Sequence, residues 1–245
     1  MIAIREATIE RTVREGWIDL RVPLPVSSDP GFVWMLLEKN GVLTGPARFE
    51  RYDAERMGIG VQVPVGGDHA ARVHAAVEGI REAERALHGK ADEAPEASPD
   101  GWEPDWPALA AEKGWTITRK EDGRIGAELD AVGVMNHGFL EARGGRSLLT
   151  LTVLRTAGLN ELTCEAIGRF VLGLTARLNL VRAGLSSGES ETLRFEAPLP
   201  TTASAADLDL ALEALSLAAR LGGRECRALM DEPLARRYLA STVKE

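Results

Sequence analysis

Two cysteines among 245 residues, Cys164 and Cys226, are too few for a disulfide framework in a chain of this length. They fall on two different predicted helices and read as packed thiols in a reducing cytoplasm. Long apolar runs are missing too. Every such stretch is broken by Arg, Asn or Gly well short of the roughly 20 residues that a membrane span needs. Met1 to Glu6 contain no apolar core of a secretion signal, so none is expected, and the expected location is the cytoplasm. Positive charge is in deficit: 29 Lys and Arg face 37 Asp and Glu, a net charge of −8. That opposes general binding to a phosphate backbone, which needs clustered cations, and leaves room only for a local basic patch. Lysine is scarce beside Ala, Gly, Arg, Leu and Glu, a composition expected of a GC-rich bacterial genome.

Catalytic signatures are equally sparse. His69 and His74 share a predicted helix at five-residue spacing, which turns them apart and fails the i, i+4 pattern of a helical zinc site. His88 ends that helix, and all three read as solvated surface histidines. Gly58-Ile59-Gly60 lies inside a strand pattern, without the third glycine or the following helix of a phosphate loop. Gly184 to Gly188 spell G-x-S-x-G, but a strand follows instead of a helix, and no histidine lies beyond His137. A hairpin turn accounts for these residues better than a nucleophile elbow. His137, in a predicted bulge or loop, can be imagined as a thiol–imidazole pair with Cys164, although no spacing supports it. Asp207 and Asp209 open a helix, where each negative charge is favoured by about 0.3–1 kcal/mol, and Glu189 and Glu191 alternate outward on a strand. Arg5, Arg11, Arg14 and Arg21 are interleaved with Glu6, Glu10, Glu15 and Asp19, so their charges cancel locally. Arg236-Arg237 is too short a run to decide anything. No catalytic residue, metal ligand or cofactor site is expected.

What is present is periodicity. Ile18, Leu20, Val22 and Leu24 alternate with Asp19, Arg21 and Pro23, the pattern of a half-buried strand. Ser28 or Asp29 is the expected N-cap of a helix with the body Phe32 to Leu37 that ends at Asn40-Gly41. Strands are expected near 48–54 and 57–65, followed by a helix over 68–88 with Val73, Val77, Ile80 and Leu87 on its apolar stripe. Residues 2–14 fit either a strand (Ile2, Ile4) or a helix (Ile9, Val13, Trp17). A spacer over about 89–107 holds four prolines, six acidic groups and one lysine, a composition that stays extended. Trp102 and Trp106 within it are expected to dock on the second half. Beyond it the pattern predicts a helix at 105–113, hairpins over 115–130 and 138–155, a helix at 160–178, strands at 180–186 and 191–197, and a helix over 205–230. In that last helix Asp209, Glu213, Ser216 and Arg220 form a narrow polar stripe. Leu208, Leu210, Leu212, Leu215, Leu217 and Leu221 cover most of the remaining circumference, so the helix is expected to pack on two sides.

The order strand–helix–strand–strand–helix thus occurs twice, and repetition of this kind sets the architecture. In element order the second half resembles the YbjN-like family and the fold of class I type III secretion chaperones: helix, three antiparallel strands, helix, two strands, helix. The first half resembles a shortened copy. The resemblance implies an α+β protein of two tandem domains, each an antiparallel sheet packed by helices: a first domain at 1–89, a linker at 90–104, a second domain at 105–232 and a tail at 233–245. It also implies a dimer-forming scaffold that binds protein segments, and the tandem arrangement can let one chain mimic a dimer.

The leading expectation is a non-enzymatic, chaperone-like adaptor that binds a protein client and forms a homodimer. Its contacts are sought on Leu172, Leu174 and Leu178 of the helix at 160–178 and on Leu210, Leu217 and Leu221 of the last helix. The alternatives are an enzyme with a site assembled in three dimensions around His137 and Cys164 and, third, a direct nucleic-acid binder, which the acidic total disfavours. No membrane partner is expected.

Overall fold

The computed structural model describes residues 9–25, 27, 29, 31–53, 56–65, 69–89, 111, 115–119, 125–131, 134–143, 146–186, 191–199 and 205–242. They form an α+β structure with two antiparallel sheets. The first contains β1 (Glu10–Arg14), β2 (Trp17–Pro23), β3 (Arg48–Arg51) and β4 (Met57–Pro64) in the order β1-β2-β4-β3. Helix α1 (Phe32–Asn40) joins β2 to β3, and α2 (His69–Leu87) follows β4. The second sheet contains β5 (Trp115–Arg119), β6 (Ile125–Ala131), β7 (Val134–Arg143), β8 (Arg146–Arg155), β9 (Arg182–Ser186) and β10 (Thr192–Pro198) in the order β5-β6-β7-β8-β10-β9. Helix α3 (Glu161–Arg177) joins β8 to β9, and α4 (Ala205–Ala228) follows β10; α5 (Glu232–Thr242) comes last. The run β1-β2-α1-β3-β4-α2 therefore has the same connectivity and strand order as β7-β8-α3-β9-β10-α4.

Register in the first sheet follows from the alternation. Ile18 faces Val63, Leu20 faces Val61, and Val22 and Phe49 flank Ile59, so one side of the sheet is apolar. The other side is not the solvent face that the pattern predicts, because Asp19, Arg48, Glu50 and Gln62 are buried as well. Charges removed from water need partners. Here Arg14 and Arg21 pair with Asp19, and Arg21 and Arg48 hold the two oxygens of Glu50 at 2.8 Å each. Gly60 gives Glu50 its room: a Cβ there would sit 2.4 Å from the carboxyl carbon.

Residues 10–14 of the ambiguous N-terminal segment are a strand, β1, with Glu10 opposite Arg21 and Val13 opposite Ile18. Its side chains are exposed, in keeping with an edge strand rich in charge. The expected N-cap is displaced. Gly31 occupies that position, and Asp29 instead accepts the Gly31 N–H at 2.9 Å, closing a turn before the helix. The end of the chain is also different from the tail expected: α5 spans Glu232–Thr242 and packs on α3 through an edge-to-face contact between Tyr238 and Phe170. The polar-looking sequence of α5 has one buried position, Ala235, and its helical period is too diluted by charge to be read as core. The proposed linker, the helix at 105–113, Trp102 and Trp106 lie outside the described residues, Ala111 of that helix excepted.

One apolar core runs through both sheets, from Ile18 and Phe49 to Leu151, Phe195 and Leu215. The helices cross over reciprocally: α1 packs against β9 of the second sheet, and α3 packs against β3 of the first. Glycines permit the close approach of these elements. A Cβ on Gly168 of α3 would lie 2.6 Å from Val33 of α1. A Cβ on Gly41 would lie 1.9 Å from the Leu185 carbonyl oxygen of β9.

Candidate functional site

The seam between the two sheets is held by polar side chains whose bridging role no local pattern signals. Asn40, the last residue of α1, is fully buried. Its amide nitrogen donates to the carbonyls of Phe49 on β3 (3.0 Å) and Ala183 on β9 (2.8 Å), and its oxygen accepts the Phe49 N–H at 2.7 Å. One amide thus bridges two sheet edges. Arg182 of β9 is 1% exposed and pairs with Glu196 at 2.9 Å. The same guanidinium donates to the carbonyls of Leu43, Gly45 (2.9 Å) and Ala47 (3.4 Å) in the loop between α1 and β3. The N–H groups of that loop are satisfied from its own half, since Glu82 of α2 accepts from Thr44 at 2.5 Å and Gly45 at 2.8 Å. Gln62 of β4 accepts the Leu180 N–H at 3.2 Å. Leu180 is the one non-glycine residue with positive φ among those described, at 62°. That backbone cost, of order 1–3 kcal/mol, is carried by a segment fixed on both sides.

Beside this seam lies a cavity of about 360 Å³ lined by Arg21, Arg51, Tyr52, Asp53, Gly173, Ala176, Arg177 and Thr242. Four elements meet there: β2 through Arg21, the end of β3, the last turn of α3 and the end of α5. Arg21 is fixed from behind by Glu50 and lies 5.4 Å from the Tyr52 ring centroid; Arg56 covers the ring at 4.9 Å. Burial and, next, the Glu10 carboxylate push the Tyr52 hydroxyl pKa up, against the opposing cations of Arg56 and Arg21. The Nε and Nη1 atoms of Arg51 and the hydroxyl of Tyr52 are buried without a hydrogen-bond partner. Gly173 leaves space for this arginine, because a Cβ at that position would already touch the guanidinium at 3.4 Å.

The six leucines expected at a partner surface divide into two groups. Leu172 and Leu178 are enclosed in the core, and Leu174 is partly buried against it, so the α3 face belongs to the interior. The physical reason is the crossover: α3 contacts β3, β9, α1, α4 and α5, which leaves little of its circumference free. On α4, by contrast, Leu210, Leu217 and Leu221 are 41%, 46% and 48% exposed. At 100° per residue they fall within about 40° of one another. The opposite side of that helix, with Leu212, Leu215, Ala218 and Ala219, is buried over β8 and β10.

Ser186 ends β9, and its hydroxyl shares a 2.8 Å hydrogen bond with Thr192 across the β9–β10 pair, so it is a strand residue and not a nucleophile elbow. His137 lies in regular register on β7 opposite Glu128, not in a bulge or loop. Cys164 is half-buried on α3; burial first, then Glu191 and Glu161, raise its thiol pKa, the direction opposite to activation. Burial pushes the Cys226 thiol up to about 12. His74 and His88 are exposed. Among the described residues no group of three His, Cys, Asp or Glu is arranged to hold a metal ion, and no helix is long and apolar enough to cross a membrane. No family model matches the chain, and no curated protein sequence matches it.

Proposed function

We propose that this chain is a non-enzymatic adaptor that binds a protein segment on the outer face of α4. The observation that supports this reading most directly is the stripe Leu210–Leu217–Leu221, nearly half exposed on a helix whose opposite side is committed to the sheet. Exposed leucines on one helix face, at spacings of seven and four, suit an amphipathic helix laid alongside. The repeated connectivity and the reciprocal packing of α1 and α3 support a tandem, chaperone-like arrangement in which one chain supplies both halves of a dimer-like body. The α4 face then remains for a further protein surface, either a client or a second copy.

The test uses the full chain. Static light scattering over a hundredfold concentration range reports self-association. Fluorescence anisotropy against a panel of labelled amphipathic peptides reports client binding. The expected result is binding in one or both assays that falls at least tenfold in Leu217→Lys, while the melting temperature stays within a few degrees because the position is half exposed. A monomer that binds no peptide, or binding indifferent to Leu217→Lys, refutes the assignment.

A further inference from the structure

The cavity at the seam carries a second and independent reading. Two buried, unpaired nitrogen donors on one guanidinium are costly, at about 1–3 kcal/mol for each unsatisfied group, and call for a physical explanation. Arg51 is in that state, beside a Tyr52 hydroxyl in the same state. Ordinary structural duty does not account for them. Had Arg51 served to cap the last carbonyls of α3, its Nε and Nη1 would meet them, and they meet nothing. The lining brings three arginines (Arg21, Arg51 and Arg177) against one carboxylate, Asp53, which is bound to Arg56. The wall therefore has a net charge of about +2 before Glu50 behind Arg21 is considered. The volume, about 360 Å³, is within the range of small-ligand sites.

We infer that this cavity binds a phosphate group, held by the Arg51 guanidinium, the Tyr52 hydroxyl and the Arg177 and Arg21 cations. The chemistry is that of planar, forked donors meeting a tetrahedral dianion, where arginine has the advantage over lysine. Phosphate is favoured over a monocarboxylate because three cations and a hydroxyl exceed what one carboxylate can satisfy. The end of α5 closes one side through Thr242. A bound phosphate therefore ties α5 to β3 and α3.

The experiment is calorimetric titration of the full chain with inorganic phosphate, pyrophosphate and acetate at constant ionic strength, repeated on three variants. Arg51→Gln removes the unpaired donors. Arg177→Gln removes an exposed cation at the rim and is safe for folding. Arg81→Gln, on the exposed side of α2 with Glu78, is the control. The expected result is saturable phosphate or pyrophosphate binding, at least tenfold tighter than acetate, weakened tenfold or more in Arg51→Gln, severalfold in Arg177→Gln and unchanged in Arg81→Gln. If Arg51→Gln does not fold, Arg177→Gln decides alone. Absent phosphate binding, acetate binding as tight as phosphate, or equal losses in Arg177→Gln and Arg81→Gln overturns the assignment. The α4 stripe is untouched by these variants, so neither proposal stands or falls with the other.

Discussion

Replacing Arg182 by methionine separates the two sheets energetically with little change in volume. The side chain is 1% exposed and its guanidinium serves four acceptors: Glu196 at 2.9 Å and the carbonyls of Gly45 (2.9 Å), Ala47 (3.4 Å) and Leu43. Removing one member of a buried ion pair costs about 3–5 kcal/mol, because the carboxylate left behind is desolvated and uncompensated. Three carbonyls lose a charged donor at the same time. Partial rescue by water limits their sum to about 1–2 kcal/mol. The total is about 4–7 kcal/mol, a large share of the 5–15 kcal/mol that holds a domain together. With a urea m-value of about 3 kcal/mol per molar, the midpoint falls by about 1.3–2.3 M. Tryptophan fluorescence follows the transition, since Trp34 of α1 packs partly buried against the core. The double variant Arg182→Met, Glu196→Leu removes the stranded carboxylate and recovers about 2–3 kcal/mol, because deleting both charges of a buried pair is far cheaper than deleting one. A midpoint within about 0.3 M of the parent, or a double variant no more stable than the single one, would show that this guanidinium does not clamp the seam.

Gly41→Ala tests the backbone contact at the same seam: Gly41 has an ordinary helical φ of −64°, so alanine there would normally stabilise by about 0.4–1 kcal/mol. A Cβ 1.9 Å from the Leu185 oxygen reverses the sign, and a melting temperature lowered by several degrees is expected. An unchanged or raised one refutes the contact. Cys226 and Cys164 should separate under a thiol-specific reagent at pH 8: Cys164 reacts first, and Cys226 reacts only as the chain unfolds. The folded Cys226 pKa of about 12 lies above the ordinary thiol value, so the stability it contributes is complete below about pH 8.5–9 and is lost as pH rises toward 12. The urea midpoint of the parent should therefore fall more steeply between pH 8 and 10.5 than that of Cys226→Ala, and parallel slopes would contradict the burial of the thiol.

Local patterns were legible wherever one face of an element met the core. The period-two alternation of Ile18 to Val22 located β2, and Ile59, Val61 and Val63 located β4, because their side chains point alternately into and out of one layer. Asn160, which accepts the Thr163 N–H at 2.9 Å, starts α3 within a residue of expectation. The polar side of the first sheet was read as solvent-facing, since alternation reports difference between faces and not what covers them. The arginines were less legible still. Arg182 had a faint signal, a lone cation in the apolar run Leu180 to Leu185, but its four acceptors lie up to 139 residues away. Arg51, Tyr52 and Arg177 had none, as their cavity is assembled from four separate segments. The leucines of α4 show the same limit: Leu212 and Leu217 are indistinguishable in hydrophobicity, yet one is core and the other is nearly half exposed.

The amino-acid order by itself determined most of the strands and helices and their repeated succession, because these depend on neighbours a few residues apart, and its composition set the acidic balance and the scarcity of catalytic signatures. Only the folded chain decided which sheet each helix covers, which charges are buried against one another, and where three arginines converge. Those outcomes depend on how separate elements pack, through contacts that reach across more than a hundred positions in the case of α1 on β9, and no local period encodes them.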